Sequence, residues 1–315
     1  GAPMMPKYYK IESGRLAQIP DEEPADVIVM GSLSQEQRSI LVKEYEITEH
    51  TIASSFDSDE LSRIEYDDDF IAIVFKKPKN YSAEDNFQFR VESFGIFIFR
   101  DWVLLLTDSE IPIQDDKRFA KIDSINTFVL RVLSYAIYHF NEHLKIINRI
   151  NDELEQKLKT SMENRYLLSM FSLSKGLIYY VSALSSNETL LKKLQIGRSL
   201  NWSEEERELL DDIIIENKQS LQQAEIYSNI LTNMMDARAS VINNNMNSWM
   251  QSLNVVTIAM MLPTFIASLF GMNVLFPFGL GAENNNPYAF WIILGVSVLA
   301  VVLFYVSWKI RKGKS

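Results

Sequence analysis

The chain has 315 residues, a formal charge of −10 and no cysteine. Disulfides and thiolate metal sites are therefore excluded. With no basic patch, a nucleic-acid partner is not expected. Gly1-Ala2-Pro3 ahead of Met4 reads as an appended remnant and is set aside, and the residues that follow lack the pattern of a signal peptide.

Residues 4–120 read as an α/β cytoplasmic domain built on one mixed sheet with helices. Strands are expected over 25–30 and 69–75, where β-branched and aromatic residues cluster. Two more are expected over 87–99 and 102–106, joined as a hairpin around Arg100-Asp101. A helix is expected over 35–50, and a short one starting at Asp57-Ser58-Asp59-Glu60.

From about residue 122 the apolar period lengthens. Ile125, Val129, Val132, Ala136, Phe140, Ile147, Ile150, Leu154 and Leu158 recur at helical steps, which predicts one long helix with one apolar stripe. A second helix is expected over 166–184, with 187–197 less regular. These segments make 121–202 a long-helix region of the cytoplasmic domain. Ser203 followed by Glu204-Glu205-Glu206 has the form of an N-cap and an acidic first turn. No proline or glycine interrupts the chain from there to Arg238. The helix over 203–252 is therefore expected to form a stalk that enters an apolar stretch without a break.

Between Arg238 and Lys309 the only formal charge is Glu283. Two apolar stretches lie in that window, a first span over 253–273 and a second over 288–308. The second meets the roughly 20 residues a helix needs to cross a bilayer outright, and the apolar run of the first, from Leu253 to Phe270, meets it with Trp249 and Met250 included. The loop 274–287 has no basic residue, whereas the tail 309–315 has Lys309, Arg311, Lys312 and Lys314. The positive-inside rule then places both termini in the cytoplasm. Trp249, Trp291 and Trp308 stand where interfacial anchors are expected.

Two helices per chain cannot enclose a path for a hydrated ion, but several copies around an axis can. Asn247, Met250, Asn254, Thr257, Met261, Thr264 and Ser268 follow alternating steps of three and four, with Leu253 adjacent. That spacing puts them on one slowly turning face. The stripe suits a pore lining, and it also suits a helix–helix seam of small and polar residues. As a pore wall it has no carboxylate. Neutral oxygens could hydrogen-bond the waters of a cation that dehydrates reluctantly, and Met250, Met261 and Leu253 could form dewetting constrictions.

Gly271-Met272-Asn273, at the end of the first of two C-terminal spans, resembles the signature of the CorA-type magnesium transporters. The preceding Met261-Leu262-Pro263-Thr264-Phe265-Ile266-Ala267-Ser268-Leu269-Phe270 resembles that family's proline-containing pore helix. The resemblance implies a funnel-shaped homopentamer in the plasma membrane, with the first span lining the pore and the second surrounding it. It implies Gly271, Met272 and Asn273 as the selectivity filter, with amides at Asn273 meeting a hydrated cation. Thr264, Met261, Leu253, Met250 and Asn247 match the positions that line the family's pore. The implied activity is Mg²⁺ uptake driven by the membrane potential, with Co²⁺ or Ni²⁺ as further cargo and Mg²⁺ also regulatory. No organic cofactor is implied, and no glycine-rich loop ending in Gly-Lys-Ser/Thr suggests a nucleotide. The loop departs from the family's Met-Pro-Glu pattern. Glu283 is the candidate cation-attracting charge there, or else a solvated loop acid.

The family's shut-off, cytoplasmic Mg²⁺ bridging acids of neighbouring subunits, implies Asp212, with Asp211 beside it, as the sensing group. Asp67, Asp68 and Asp69 are candidate partner carboxylates. His139 and His143, four apart, have zinc-compatible spacing but lack a zincin motif, and two polar-face histidines are the expected reading. No hydrolytic triad is found, and no enzyme is expected. Two other readings remain: zinc transport within the same superfamily, and a membrane-anchored coiled-coil scaffold or sensor that conducts nothing.

Overall fold

The structure, a computed structural model, describes residues 5–21, 23–80, 88–160, 164–197, 200–272 and 287–312. By its internal contacts the chain divides into two units, 1–235 and 236–315.

The first unit contains a seven-stranded sheet of order β2-β1-β3-β7-β6-β5-β4. The strands are β1 (Lys7–Glu12), β2 (Arg15–Ile19), β3 (Val27–Met30), β4 (Arg63–Tyr66), β5 (Ile71–Pro78), β6 (Val91–Ile98) and β7 (Val103–Leu106). β3 and β7 pair in parallel and all other neighbours are antiparallel, so the sheet is mixed. The expected hairpin forms between β6 and β7, closed by the Phe99 N–H donating to the Trp102 carbonyl at 2.9 Å.

Alternation along the strands sorts side chains to two cores. Ile96, Val103 and Leu105 join a core with α3 (Ile125–Thr160), α4 (Asn164–Ile196) and the first turns of α5 (Glu204–Phe270). Phe97, Leu104 and Leu106 point the other way, to α1 (Gln35–Glu44) and α2 (Glu49–Ser54). A third core joins the α3–α4 hairpin to α5 through Phe140, Ile147, Leu177, Tyr180, Ala224 and Leu231.

Several expectations need correction. The helix over 35–50 is two helices. α1 ends at Glu44 with Tyr45 as its C-cap, Glu46 takes a left-handed φ of 55°, and Thr48 caps α2 by accepting the Thr51 N–H. No helix starts at Asp57. The carbonyls there serve the core instead, with Lys76 Nζ donating to Ser58 O at 2.6 Å and Ser93 Oγ to Asp57 O at 2.5 Å. α4 continues to Ile196 through the stretch expected to be irregular. It does so because Asn187 is buried and hydrogen-bonded to both backbone groups of Lys76, and Leu190, Leu191 and Leu194 fill the sheet core. β1, β2 and β4, rich in polar residues, had no sequence signal.

The expected cap at Ser203 is present. Its Oγ accepts the Glu206 N–H at 3.2 Å, and Glu206 Oε2 accepts the Ser203 N–H at 2.9 Å, a reciprocal capping box. Glu206 Oε1 also accepts from Ser124 Oγ at 2.6 Å, where α3 starts. Burial pushes the Glu206 carboxyl upward in pKa, but its hydrogen bonds from Ser124, the Ser203 backbone, Thr127 and Asn126 outweigh this and leave it below the usual value. The roots of α3 and α5 are thus tied by one carboxylate.

The second unit holds the C-terminal part of α5 and α6 (Ala289–Lys312). α5 is one helix of 67 residues with Pro263 inside it. Among the described residues three helices are long and apolar enough to cross a membrane: Arg165–Ile196 within α4, α5, and Ala289–Ile310 within α6. Their apolar windows differ in burial, at 39% for α4 against 0% and 6% for the other two, so only α4 already spends much of its apolar face on protein.

Candidate functional site

The eight stripe residues Asn247, Met250, Leu253, Asn254, Thr257, Met261, Thr264 and Ser268 all lie on α5, and all are exposed in a single chain. The helix is open on nearly every side here, so exposure alone does not select the stripe; its spacing does. Thr257 Oγ1 donates to the Leu253 carbonyl at 2.9 Å and Thr264 Oγ1 to the Met260 carbonyl at 2.8 Å. Each hydroxyl proton is thereby spent on the helix, and the oxygen presents lone pairs outward. Proline has no N–H, so position 263 cannot donate to the Ala259 carbonyl four residues back. The span therefore offers neutral acceptors, the kind of group to which the waters around a cation donate.

α5 ends at Phe270. The Gly271 N–H donates to the Ala267 carbonyl at 3.0 Å and the Met272 N–H to the Leu269 carbonyl at 3.2 Å. A Cβ at Gly271 would stand 3.4 Å from the Ala267 oxygen, an ordinary contact, so nothing within one chain requires glycine there. Met272 is half exposed. Asn273 and Glu283 lie outside the described residues.

The candidate sensing acids gather at the C-terminal end of α4. Gln195 Nε2 donates to Asp211 Oδ1 at 2.6 Å, while Asp212 is exposed. On the other side, a Cβ at Gly197 would stand 3.1 Å from the Tyr66 hydroxyl, one residue before the β4–β5 turn that carries Asp67, Asp68 and Asp69. That turn is closed by the Asp67 N–H donating to the Phe70 carbonyl at 3.0 Å, and its three carboxylates face solvent. Among the described residues no hydrogen bond joins the turn to Asp211 or Asp212, and no group of three or more His, Asp or Glu is arranged to hold a metal.

One acid had been missed. Burial and the charge of Asp212, one helical turn away, raise the Glu216 carboxyl above its usual range. The signal was available as i,i+4 spacing of two acids on a helix.

The sequence led to the expectation of two polar-face histidines, and the structure corrects it. His143 is buried, with Nδ1 at 2.6 Å from the Tyr180 hydroxyl and the His139 ring edge-on at 4.5 Å. Burial first, then His139, pushes the His143 pKa down to about 3, so the ring is neutral and belongs to the core.

Comparisons with known proteins follow this architecture along the whole chain. The cobalt/magnesium transport protein CorA of Methanocaldococcus jannaschii is 29% identical over 275 residues, covering 84% of this chain and 83% of that protein. The complete structure of the CorA magnesium transporter from the same organism superposes with a TM-score of 0.82 at 23% identity, covering 97% and 98% of the two chains. The full-length CmaX protein superposes with a TM-score of 0.73 at 14% identity, covering 98% of each. The family model described as CorA-like Mg2+ transporter protein matches residues 28–312, and the chain belongs to that family.

Proposed function

We propose that this protein is a homopentameric channel that carries Mg²⁺ into the cytoplasm down the membrane potential. The reading is carried by one observation: a stripe of neutral acceptors along an uninterrupted α5, leading directly into Gly271-Met272-Asn273. Family membership and the archaeal relative's name support the ion, and that name supports Co²⁺ as a second cargo.

In this reading α5 and α6 are the two spans and both termini are cytoplasmic. Met170, Leu173, Leu177, Tyr180, Leu184, Leu190, Leu191 and Leu194 of α4 are buried in the cores, which supports leaving that helix out of the membrane. Five copies of α5 line the path. Outward-facing oxygens of Thr257 and Thr264 accept hydrogen bonds from the ion's water shell, so Mg²⁺ need not lose it. Met250, Leu253 and Met261 form apolar rings where the column of water can break. Asn273 amides stand at the outer mouth as the filter, with Glu283 drawing cations toward it. The driving force on a doubly charged ion is about 4.6 kcal/mol per 100 mV.

Closure in this reading comes from cytoplasmic Mg²⁺ held between subunits. Asp212, with Glu216 one turn on, repels itself until a hard divalent ion arrives. A carboxylate from Asp67, Asp68 or Asp69 of a neighbouring copy completes the site, with Asp211 braced by Gln195. Loss of the ion frees the stalk helices.

The test is flux into liposomes loaded with a magnesium-sensitive dye under an inside-negative potential, for the native protein and Asn273→Ala. Entry that Asn273→Ala abolishes, with the oligomer intact, is the expected result. Zinc entry without magnesium entry would assign the zinc branch. Absence of any flux, even with Asp212→Asn to relieve closure, would leave the scaffold reading.

A further inference from the structure

Within the first unit, α4, the residues leading into β6 and the loop after α2 line a solvent-open cavity of about 290 Å³. It is lined by none of the candidate pore residues and none of the acids at the end of α4. One face of α4 presents Ser172, Lys175, Gly176 and Tyr179 to it, at steps of three, four and seven. Gly176 permits the close approach that forms the floor. A Cβ there would stand 2.9 Å from Phe89 Cβ and 3.0 Å from the Phe89 carbonyl oxygen.

The opposite wall carries Arg90. Its backbone carbonyl accepts the Lys79 N–H at 2.9 Å, which pins the residue to the sheet ladder, and its guanidinium donates to Gln88 Oε1. Lys175 Nζ lies 5.9 Å from the centroid of the Tyr179 ring. The chain holds 41 acids against 31 lysines and arginines, yet among the described residues neither Arg90 nor Lys175 forms an ion pair. Both side chains are exposed, and even with Asp59 on the same lining the described residues leave the cavity a net positive edge that an anion can meet.

The remaining lining narrows the class. The cavity is larger than inorganic phosphate needs and sits near the lower limit for small-molecule sites. Ser172 adds a hydroxyl donor beside the cations. Tyr179, 41% exposed, offers a ring against which a flat or hydroxylated body can rest. Asp59 also lines the cavity and can accept from a hydroxyl or amine, but would repel a second anionic group. We infer that this cavity binds a small organic phosphate, with the phosphate on Arg90 and Lys175 and the body between Tyr179 and Asp59. A sugar phosphate and a nucleoside monophosphate share this chemistry. Charge comes from side chains, so no glycine-rich phosphate loop is required.

The test is isothermal titration of the purified full-length protein with inorganic phosphate, ribose 5-phosphate and AMP. At least one organic phosphate is expected to bind more tightly than inorganic phosphate. The pair Arg90→Gln and Lys175→Met, which keeps side-chain bulk, is expected to weaken that binding by about tenfold or more. Lys10→Ala is expected to leave it unchanged. Tyr179→Ala is expected to weaken the organic ligand and spare inorganic phosphate. No binding of any probe at millimolar concentration overturns the inference, as does undiminished binding by the Arg90/Lys175 pair. Inorganic phosphate binding as tightly as both organic probes overturns the contacts assigned to Tyr179 and Asp59. Binding is read without transport, so this outcome is independent of the channel reading.

Discussion

The Nδ1 of His143 and the hydroxyl of Tyr180 stand 2.6 Å apart inside the α3–α4 hairpin, joining the two helices by a buried polar contact. Burial and the neighbouring His139 hold the His143 pKa at about 3, below the 6.5 of an unfolded chain. Between those values the unfolded state binds the extra proton, so stability rises with pH across that window and is lost as pH falls through it. At pH 5 the loss is about 2 kcal/mol relative to pH 7. Thermal unfolding of the solubilised protein from pH 7 to pH 4 should show this slope. His143→Phe should flatten it, while lowering stability at pH 7 by about 1–3 kcal/mol because Tyr180 loses its partner.

Asn187 acts as a substitute strand. Its Oδ1 accepts the Lys76 N–H at 3.1 Å and its Nδ2 donates to the Lys76 carbonyl at 3.0 Å, beyond the point where β4 stops pairing with β5. Asn187→Leu should cost about 2–4 kcal/mol, because two buried backbone groups lose their partners at once. Chemical denaturation followed by tryptophan fluorescence measures it. Ser62→Ala, which removes a donor to Asn187 Oδ1 and an acceptor for the Ser186 hydroxyl but leaves both Lys76 backbone bonds in place, should cost about 1 kcal/mol.

Thr264 tests the water-shell mechanism. Thr264→Val keeps the β-branched shape and removes the oxygen that faces outward once its proton is given to Met260 O. Potential-driven Mg²⁺ entry into liposomes should fall about tenfold, the equivalent of one hydrogen bond. Thr264→Ser should retain most of the flux. Equal flux for valine and wild type would mean that this oxygen does not meet the ion's shell.

The acids of α5 make a distinct prediction. Asp212→Asn with Glu216→Gln removes the repulsion that, after burial, raises the Glu216 pKa. Mg²⁺ should raise the unfolding temperature of the wild type and raise that of the double variant less. In liposomes the variant should keep conducting at internal Mg²⁺ concentrations that shut the wild type. Unchanged inhibition would place the sensing acids elsewhere.

Much of the architecture was legible in the sequence because it rests on local patterns. The long α3 follows from a 3.6-residue apolar period and the β6–β7 hairpin from period-two runs around a polar turn. The root of α5 follows from Ser203 and Glu206 closing a box within four residues. The candidate pore face needed only spacing along one helix. Some misses were local too. Glu46 breaks the helix over 35–50 with a left-handed φ that no glycine announced, and β1 and β4 carry too many charges to stand out.

By itself the sequence determined the two charge-free C-terminal stretches, the stripe from Asn247 to Ser268 and the signature that closes it. These depend on composition and on the fixed rise and turn of a helix, which need no partner. Only the tertiary structure decided that His143 is a neutral core group and that Glu216 feels Asp212. It alone placed the acids of β4–β5 and α5 around the end of α4, and Arg90 and Lys175 on one cavity. Burial and proximity between distant segments set pKa values and build sites, and both arise only when the chain packs against itself.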